Sequence, residues 1–154
     1  MDIRAAKSDD LDQILELFRD TIQHVNSQDY SPEQIEVWQH ATDRKVWLNK
    51  IKEQSFFVAL MSNQIVGFSS VDADGYVDFM YTHRDHQGEG IAKALLEAVE
   101  KRTLENKLDR IWASVSITAQ PFFKKNGYNH YENEHKMISG VHFKNALMEK
   151  MLIQ

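Results

Sequence analysis

Cysteine is absent from the 154 residues, which excludes disulfides, cysteine-bound zinc and a thiol nucleophile, and fits a reducing compartment. Proline (two) and glycine (six) are scarce while 42% of residues are hydrophobic and 10% aromatic, so the chain is neither disordered, collagenous nor low in complexity. No stretch of 18 apolar residues occurs, and Met1-Asp2-Ile3-Arg4 opens no basic flank with an apolar core behind it. Neither a membrane span nor a signal peptide is therefore read, and the expected location is the cytoplasm. Basic residues are in deficit, 18 against 23 acidic for a net charge of -5, and they are scattered, whereas a nucleic-acid surface needs a concentrated basic face. An acidic balance mildly suits amines. What remains is one globular domain spanning residues 1–154, long enough to bury roughly 70% of its unfolded surface unaided.

Ile3 to Ala6 reads as a first strand. Ser8, Asp9 and Asp10 then supply cap and first-turn acids for a helix whose Leu11, Ile14, Leu15, Phe18, Ile22 and Val25 follow the helical period. Ser31-Pro32-Glu33-Gln34 has capping-box spacing with Pro at the first helical position, opening a second helix through Ile35, Trp38 and Ala41, and Asp43 caps a third through Trp47 and Ile51. Three hairpin strands follow at Phe56 to Leu60, Ile65 to Val71 and Tyr76 to Thr82. Gly88 and Gly90 lead into a long helix through Leu104, then a strand at Arg110 to Val115, a short helix from Thr118 to Asn126 stopped by Gly127, and strands at Tyr128 to Ile138 and His142 to Leu152. The order βααα-βββ-α-β-α-ββ predicts an α/β fold with a mixed sheet.

The most informative segment is Gln87-Gly88-Glu89-Gly90-Ile91-Ala92, between a strand and a helix. Two glycines permit close backbone approach, and first-turn amides have no partner inside the helix, so the loop can cradle a phosphate. The same glycines also suit a plain tight turn. A P-loop is excluded because no Gly-Lys-Ser/Thr run exists, and a dinucleotide fingerprint is excluded by Lys93 at its third small position.

In these residues the sequence resembles the GNAT superfamily of acyl-CoA N-acyltransferases, over essentially its whole length. Gln87-x-x-Gly90-x-Ala92 matches that family's Arg/Gln-x-x-Gly-x-Gly/Ala pyrophosphate loop, and Ala119-x-x-Phe122-Phe123-x-x-x-Gly127-Tyr128 is similar to its short helix ending in Gly-Phe or Gly-Tyr. The resemblance implies a GNAT fold, a mostly antiparallel sheet of about seven strands flanked by helices. It implies that Met80, Tyr81 and Thr82 line the pantetheine arm of acetyl-CoA and that Gln87, Gly88, Glu89, Gly90, Ile91 and Ala92 hold its pyrophosphate through main-chain N–H groups. Phe122, Phe123 and Lys125 would flank it from the short helix, although both rings also read as core and Lys125 as a solvated helix residue. Ser116 stands where many relatives carry Asn and still donates a hydrogen bond. Phe123 stands where many carry a tyrosine thought to protonate the leaving thiolate, which a phenyl ring cannot do.

The expected activity is transfer of an acetyl group from acetyl-CoA to a primary amine by direct attack, on a small-molecule or peptide acceptor. The Thr82 region would polarise the thioester carbonyl by a backbone N–H. Asp78 and Tyr76 alternate onto the strand face shared with Met80, so Asp78 would serve as base, directly or through water; a partly exposed strand carboxylate is the bland reading. His24, Tyr30 and Trp38 lie on or between the first two helices, which in relatives overhang the acceptor pocket, and the two aromatics suit an amine's apolar body or its cation; Trp38 at helical spacing from Ile35 and Ala41 also reads as core. His83, Asp85 and His86 read as a surface loop rather than a metal site, and no metal is expected. The proton for the thiolate is expected from solvent, with Tyr128 and Tyr131 as the side-chain alternatives. Rival expectations are a different acyl group and a non-catalytic CoA-sensing module of the same fold; a homodimer is left open.

Overall fold

Leu11, Ile14, Leu15, Phe18 and Ile22, spaced at the helical period, are all at most 3% exposed, and this stripe lays helix α1 (Leu11–His24) on one face of a sheet. The computed structural model describes residues 1–152; the last two of the expected domain, 153 and 154, lie outside the described residues. Strand β1 (Asp2–Ala5) precedes α1, and α2 (Pro32–Gln39) and α3 (Arg44–Glu53) follow it. The hairpin strands β2 (Ser55–Met61), β3 (Gln64–Val71) and β4 (Tyr76–Thr82) lead to α4 (Ile91–Glu105), β5 (Arg110–Val115), α5 (Gln120–Lys125), β6 (Asn129–Ile138) and β7 (Val141–Met151). The predicted order holds. Boundaries move by a residue or two: β1 starts at Asp2, α5 is confined to Gln120–Lys125, and β6 starts after Tyr128.

The seven strands form one sheet in the order β1-β2-β3-β4-β5-β7-β6, antiparallel throughout except for β4 beside β5. One face carries α1 and α3 over Trp47, Phe56 and Phe68; the other carries α4 and α5, with Leu96, Val99, Ile111, Phe123 and Tyr128 packed together. Helix α4 sits close because β3 offers it a glycine. A Cβ added at Gly67 would meet Leu95 Cδ1 at 2.8 Å, Ile91 Cγ2 at 3.0 Å and the Tyr81 carbonyl at 3.0 Å. Gly67→Val is expected to destabilise the fold by about 1–3 kcal/mol through overpacking, read as a lowered urea midpoint.

One irregularity shapes the centre of the sheet. Ser70 faces Phe79 but Val71 faces Val77, leaving Asp78 as an unpaired bulge residue on β4. Val77 and Met80 pack with the α4 side, Phe79 and Tyr81 with the α1 side. The strict alternation expected for Tyr76, Asp78 and Met80 is thereby broken: Tyr76 and Asp78 stand on the α1–α3 face, opposite Met80.

Candidate active site

Strands β4 and β5 pair only at Tyr76 with Trp112 and Val77 with Ala113. Beyond those pairs they part, and a cavity of about 810 Å³ opens between them. Asp78 and Ser114 are the first residues past the last pair and line it from opposite strands. The other edge of β4 remains tied to β3. His83 N–H donates to the Val66 carbonyl at 2.8 Å, and alternation along an antiparallel ladder then makes Phe68 and Tyr81 a hydrogen-bonded pair. The peptide groups of Met80 and Thr82 therefore point the other way, into the cleft. The Thr82 carbonyl accordingly accepts from Thr21 Oγ1 at 3.3 Å and Gln87 Nε2 at 2.7 Å.

At one end the cavity meets the glycine loop. Gly88 and Gly90 have φ of +76° and +83°, the left-handed region glycine adopts freely, and a Cβ added at either meets nothing within 4 Å. That open space lies against the unpartnered amides of the first turn of α4, whose first backbone bond runs from Ala94 N–H to the Gly90 carbonyl at 3.1 Å. Such a concave set of amides fits a diphosphate. Gln87, Gly88, Gly90, Ile91 and Ala92 line it; Glu89 does not, its carboxylate being engaged with His86 Nδ1 at 3.0 Å. The Gln87 side chain braces the loop against β4 rather than facing the cavity centre.

Ser116, Phe122, Phe123 and Lys125 line the opposite wall. Ser116 Oγ accepts from Ala119 N–H at 3.2 Å, capping the turn into α5. Phe123 meets the buried Tyr128 ring edge to face at 5.1 Å. The Tyr128 hydroxyl donates to Glu100 Oε2 at 2.7 Å, and burial, reinforced by that carboxylate, raises its pKa well above the usual phenol range. Tyr131 is 42% exposed beside Arg110. Neither tyrosine belongs to the cavity lining.

The other end is aromatic. Tyr30 and Trp38 rings lie 5.0 Å apart and both approach Phe143, at 6.0 and 5.9 Å, while Ile117 N–H donates to the Tyr30 hydroxyl at 2.8 Å. His24 is not brought here; it is exposed and faces Asp20 at 3.5 Å. Asp78 is fixed from α3 and the residue after it: Lys50 Nζ at 2.7 Å and Gln54 Nε2 at 2.8 Å both reach Oδ2, and among the described residues Oδ1 accepts from no donor. Tyr76 keeps its proton, first through burial and then through the negative charges of Asp78 and Glu134. Sequence reasoning missed Lys50, Gln54, Ser114 and Asn145. The i, i+4 spacing of Lys50 and Gln54 was visible, but not the strand residue they address. In the loop after β4, His83 Nδ1 accepts from Asp85 N–H at 3.0 Å, and among the described residues no three His, Asp or Glu side chains converge as metal ligands. No helix among them is long and apolar enough to cross a membrane.

A family model described as an acetyltransferase (GNAT) domain matches residues 26–150. The chain belongs to the GNAT acetyltransferase family. Among GNAT relatives it is 31% identical over 146 residues to the uncharacterized N-acetyltransferase YafP of Escherichia coli K12, covering 95% of this chain and 93% of that one. A crystal structure from Rhodopseudomonas palustris described as a GCN5-related N-acetyltransferase superimposes with a TM-score of 0.93 at 27% identity, over 98% of this chain and 95% of that one. The PaiA N-acetyltransferase of Thermoplasma acidophilum, solved in complex with coenzyme A, shares the fold at a TM-score of 0.83 and 21% identity, over 97% and 98%.

Proposed function

We propose that this GNAT acetyltransferase moves the acetyl group of acetyl-CoA to the primary amine of an acceptor by direct attack. One observation carries the reading: a single cavity runs from the glycine loop at α4, between the parted strands, to an aromatic pocket with a fixed carboxylate at its edge. The CoA complex of the PaiA structure supports the choice of cofactor. Amides of Gly88, Gly90, Ile91 and Ala92 hold the diphosphate, and the inward Met80 carbonyl and Thr82 N–H bond the pantetheine arm as a neighbouring strand would. Acetyl-CoA supplies the activated acyl group and a thiolate leaving group. Met80 N–H, the inward amide nearest Asp78, takes the role first expected of the Thr82 region and donates to the thioester oxygen. Asp78 Oδ1 takes a proton from the incoming ammonium and passes it to solvent, freeing the nitrogen lone pair to form the new N–C bond as the C–S bond breaks. The nitrogen's second proton then leaves to solvent, giving the neutral amide.

The departing thiol titrates near pH 8.5 in model compounds, so solvent suffices to protonate it where Phe123 cannot. Tyr128→Phe and Tyr131→Phe are each expected to keep turnover within about threefold, below 1 kcal/mol of barrier, and Phe123→Tyr to be tolerated. A hundredfold loss in either tyrosine variant, with folding and acetyl-CoA affinity intact, makes that tyrosine the acid.

Phe123 also supports a second reading, a CoA-binding module without turnover. The deciding experiment incubates the protein with acetyl-CoA and a panel of amines, following thiol release and acetylated product by mass spectrometry. Amine-dependent release is expected; acetyl-CoA binding without release across the panel favours the second reading.

A further inference from the structure

Across the cleft mouth from Asp78, three side chains from three strands form a chain of hydrogen bonds. Ser114 Oγ on β5 donates to Glu134 Oε1 on β6 at 2.6 Å, and Asn145 Nδ2 on β7 donates to Ser114 Oγ at 3.0 Å. Glu134 and Asn145 are direct cross-strand neighbours, and Asn145 is only 8% exposed. Ser114 and Asn145 line the same cavity as Asp78. Ser114 turns away from the α4 face, to which its neighbours Ala113 and Val115 belong.

The bonding fixes what Ser114 offers the cavity. A serine hydroxyl has one hydrogen and two lone pairs. The hydrogen is committed to a carboxylate that accepts only, and one lone pair is committed to Asn145. A single lone pair remains, so at the cleft mouth Ser114 is a hydrogen-bond acceptor and not a donor. Asp78 Oδ1, once it has passed the ammonium's proton on to solvent, is again an acceptor and faces the same opening from β4. A primary amine that has lost one proton keeps two N–H bonds and one lone pair. Two acceptors on opposite walls satisfy both N–H bonds and leave the lone pair for the acyl carbon. A secondary amine has one N–H left, and its extra carbon meets one of the two acceptors without a hydrogen bond, an uncompensated desolvation.

We propose that Ser114 orients the acceptor nitrogen and selects primary over secondary amines, with Glu134 and Asn145 as positioning residues that set the polarity of its hydroxyl. The inference rests on the acetyltransferase reading above. It is tested with the full-length protein and a primary amine that it acetylates, beside the N-methyl form of the same amine. Ser114→Ala is expected to lower kcat/KM for the primary amine by about tenfold or more, to leave acetyl-CoA affinity within about twofold, and to bring the ratio of primary to N-methyl rates towards one. Ser114→Thr, which keeps the hydroxyl, should restore the ratio. Glu134→Leu should behave like Ser114→Ala, and Glu134→Gln, which keeps an acceptor oxygen, should be rescued. An unchanged amine ratio in Ser114→Ala overturns the proposal. So does a Glu134→Gln variant as impaired as Glu134→Leu, since the charge rather than hydroxyl orientation would then matter. A parent protein that acetylates no amine overturns the functional reading itself, a result distinct from an active parent whose ratio does not move.

Discussion

Asp78→Asn is expected to lower turnover by about 10²- to 10⁴-fold, the usual contribution of a positioned proton acceptor, while acetyl-CoA affinity stays within about twofold. The substitution is close to isosteric, and Asn keeps an oxygen for Lys50 and Gln54, which both address Oδ2 of the native side chain. What it removes is an oxygen able to take a proton from an ammonium. Because Asp78 occupies a bulge outside the β3–β4 pairing, no ladder bond depends on its identity, so the loss should fall on kcat rather than on folding. Turnover and calorimetric affinity measured on one preparation check the split. A rate within threefold of the parent would reduce Asp78 to a strand carboxylate held by a lysine.

Gly90→Asp is expected to weaken acetyl-CoA binding at least tenfold, about 1.4 kcal/mol or more. The residue sits at φ +83° with open space where a side chain would begin. The new carboxylate fills the hollow proposed for the diphosphate and would place like charge beside it. Two effects limit the cost to the fold itself. Aspartate is among the residues that enter the left-handed region most readily, and a negative charge at the N-terminus of α4 is favourable to the helix. Gly90→Asn, with the same backbone and size but no charge, separates bulk from repulsion. Unchanged affinity in Gly90→Asp, by calorimetry on the folded variant, would sink the assignment of this loop to the diphosphate.

Local signals carried most of the architecture into the sequence. The expected bounds of β4 and β5 coincide with those observed, and Ser31 and Asp43 cap α2 and α3 as their spacing implies. The bulge at Asp78 left no trace because β4 is apolar on both faces: Val77 and Phe79 read as one alternation whether or not a residue is inserted between them. The Lys50 contact spans 28 positions, and the Ser114 chain joins three strands whose registers only the folded sheet defines. His24 was misplaced for a related reason. The helical period assigns a residue to a helix, but His24 turns outward at the end of α1 while Asn26, in the 3-10 turn that follows the helix, lines the cavity.

The parting of β4 from β5 also makes the sheet a recorder of its own occupancy. Along β4, the Tyr81 amide is held by β3 whereas those of Met80 and Thr82 open on the cleft, so in the free protein their hydrogens exchange with deuterated solvent in a one-on, one-off pattern. A pantetheine chain lying in the gap as proposed would close the open positions and leave the held one as it was. Occupancy is thereby written in the isotope content of alternate peptide groups on one strand, whether or not an acceptor is present and whether or not any acyl group moves.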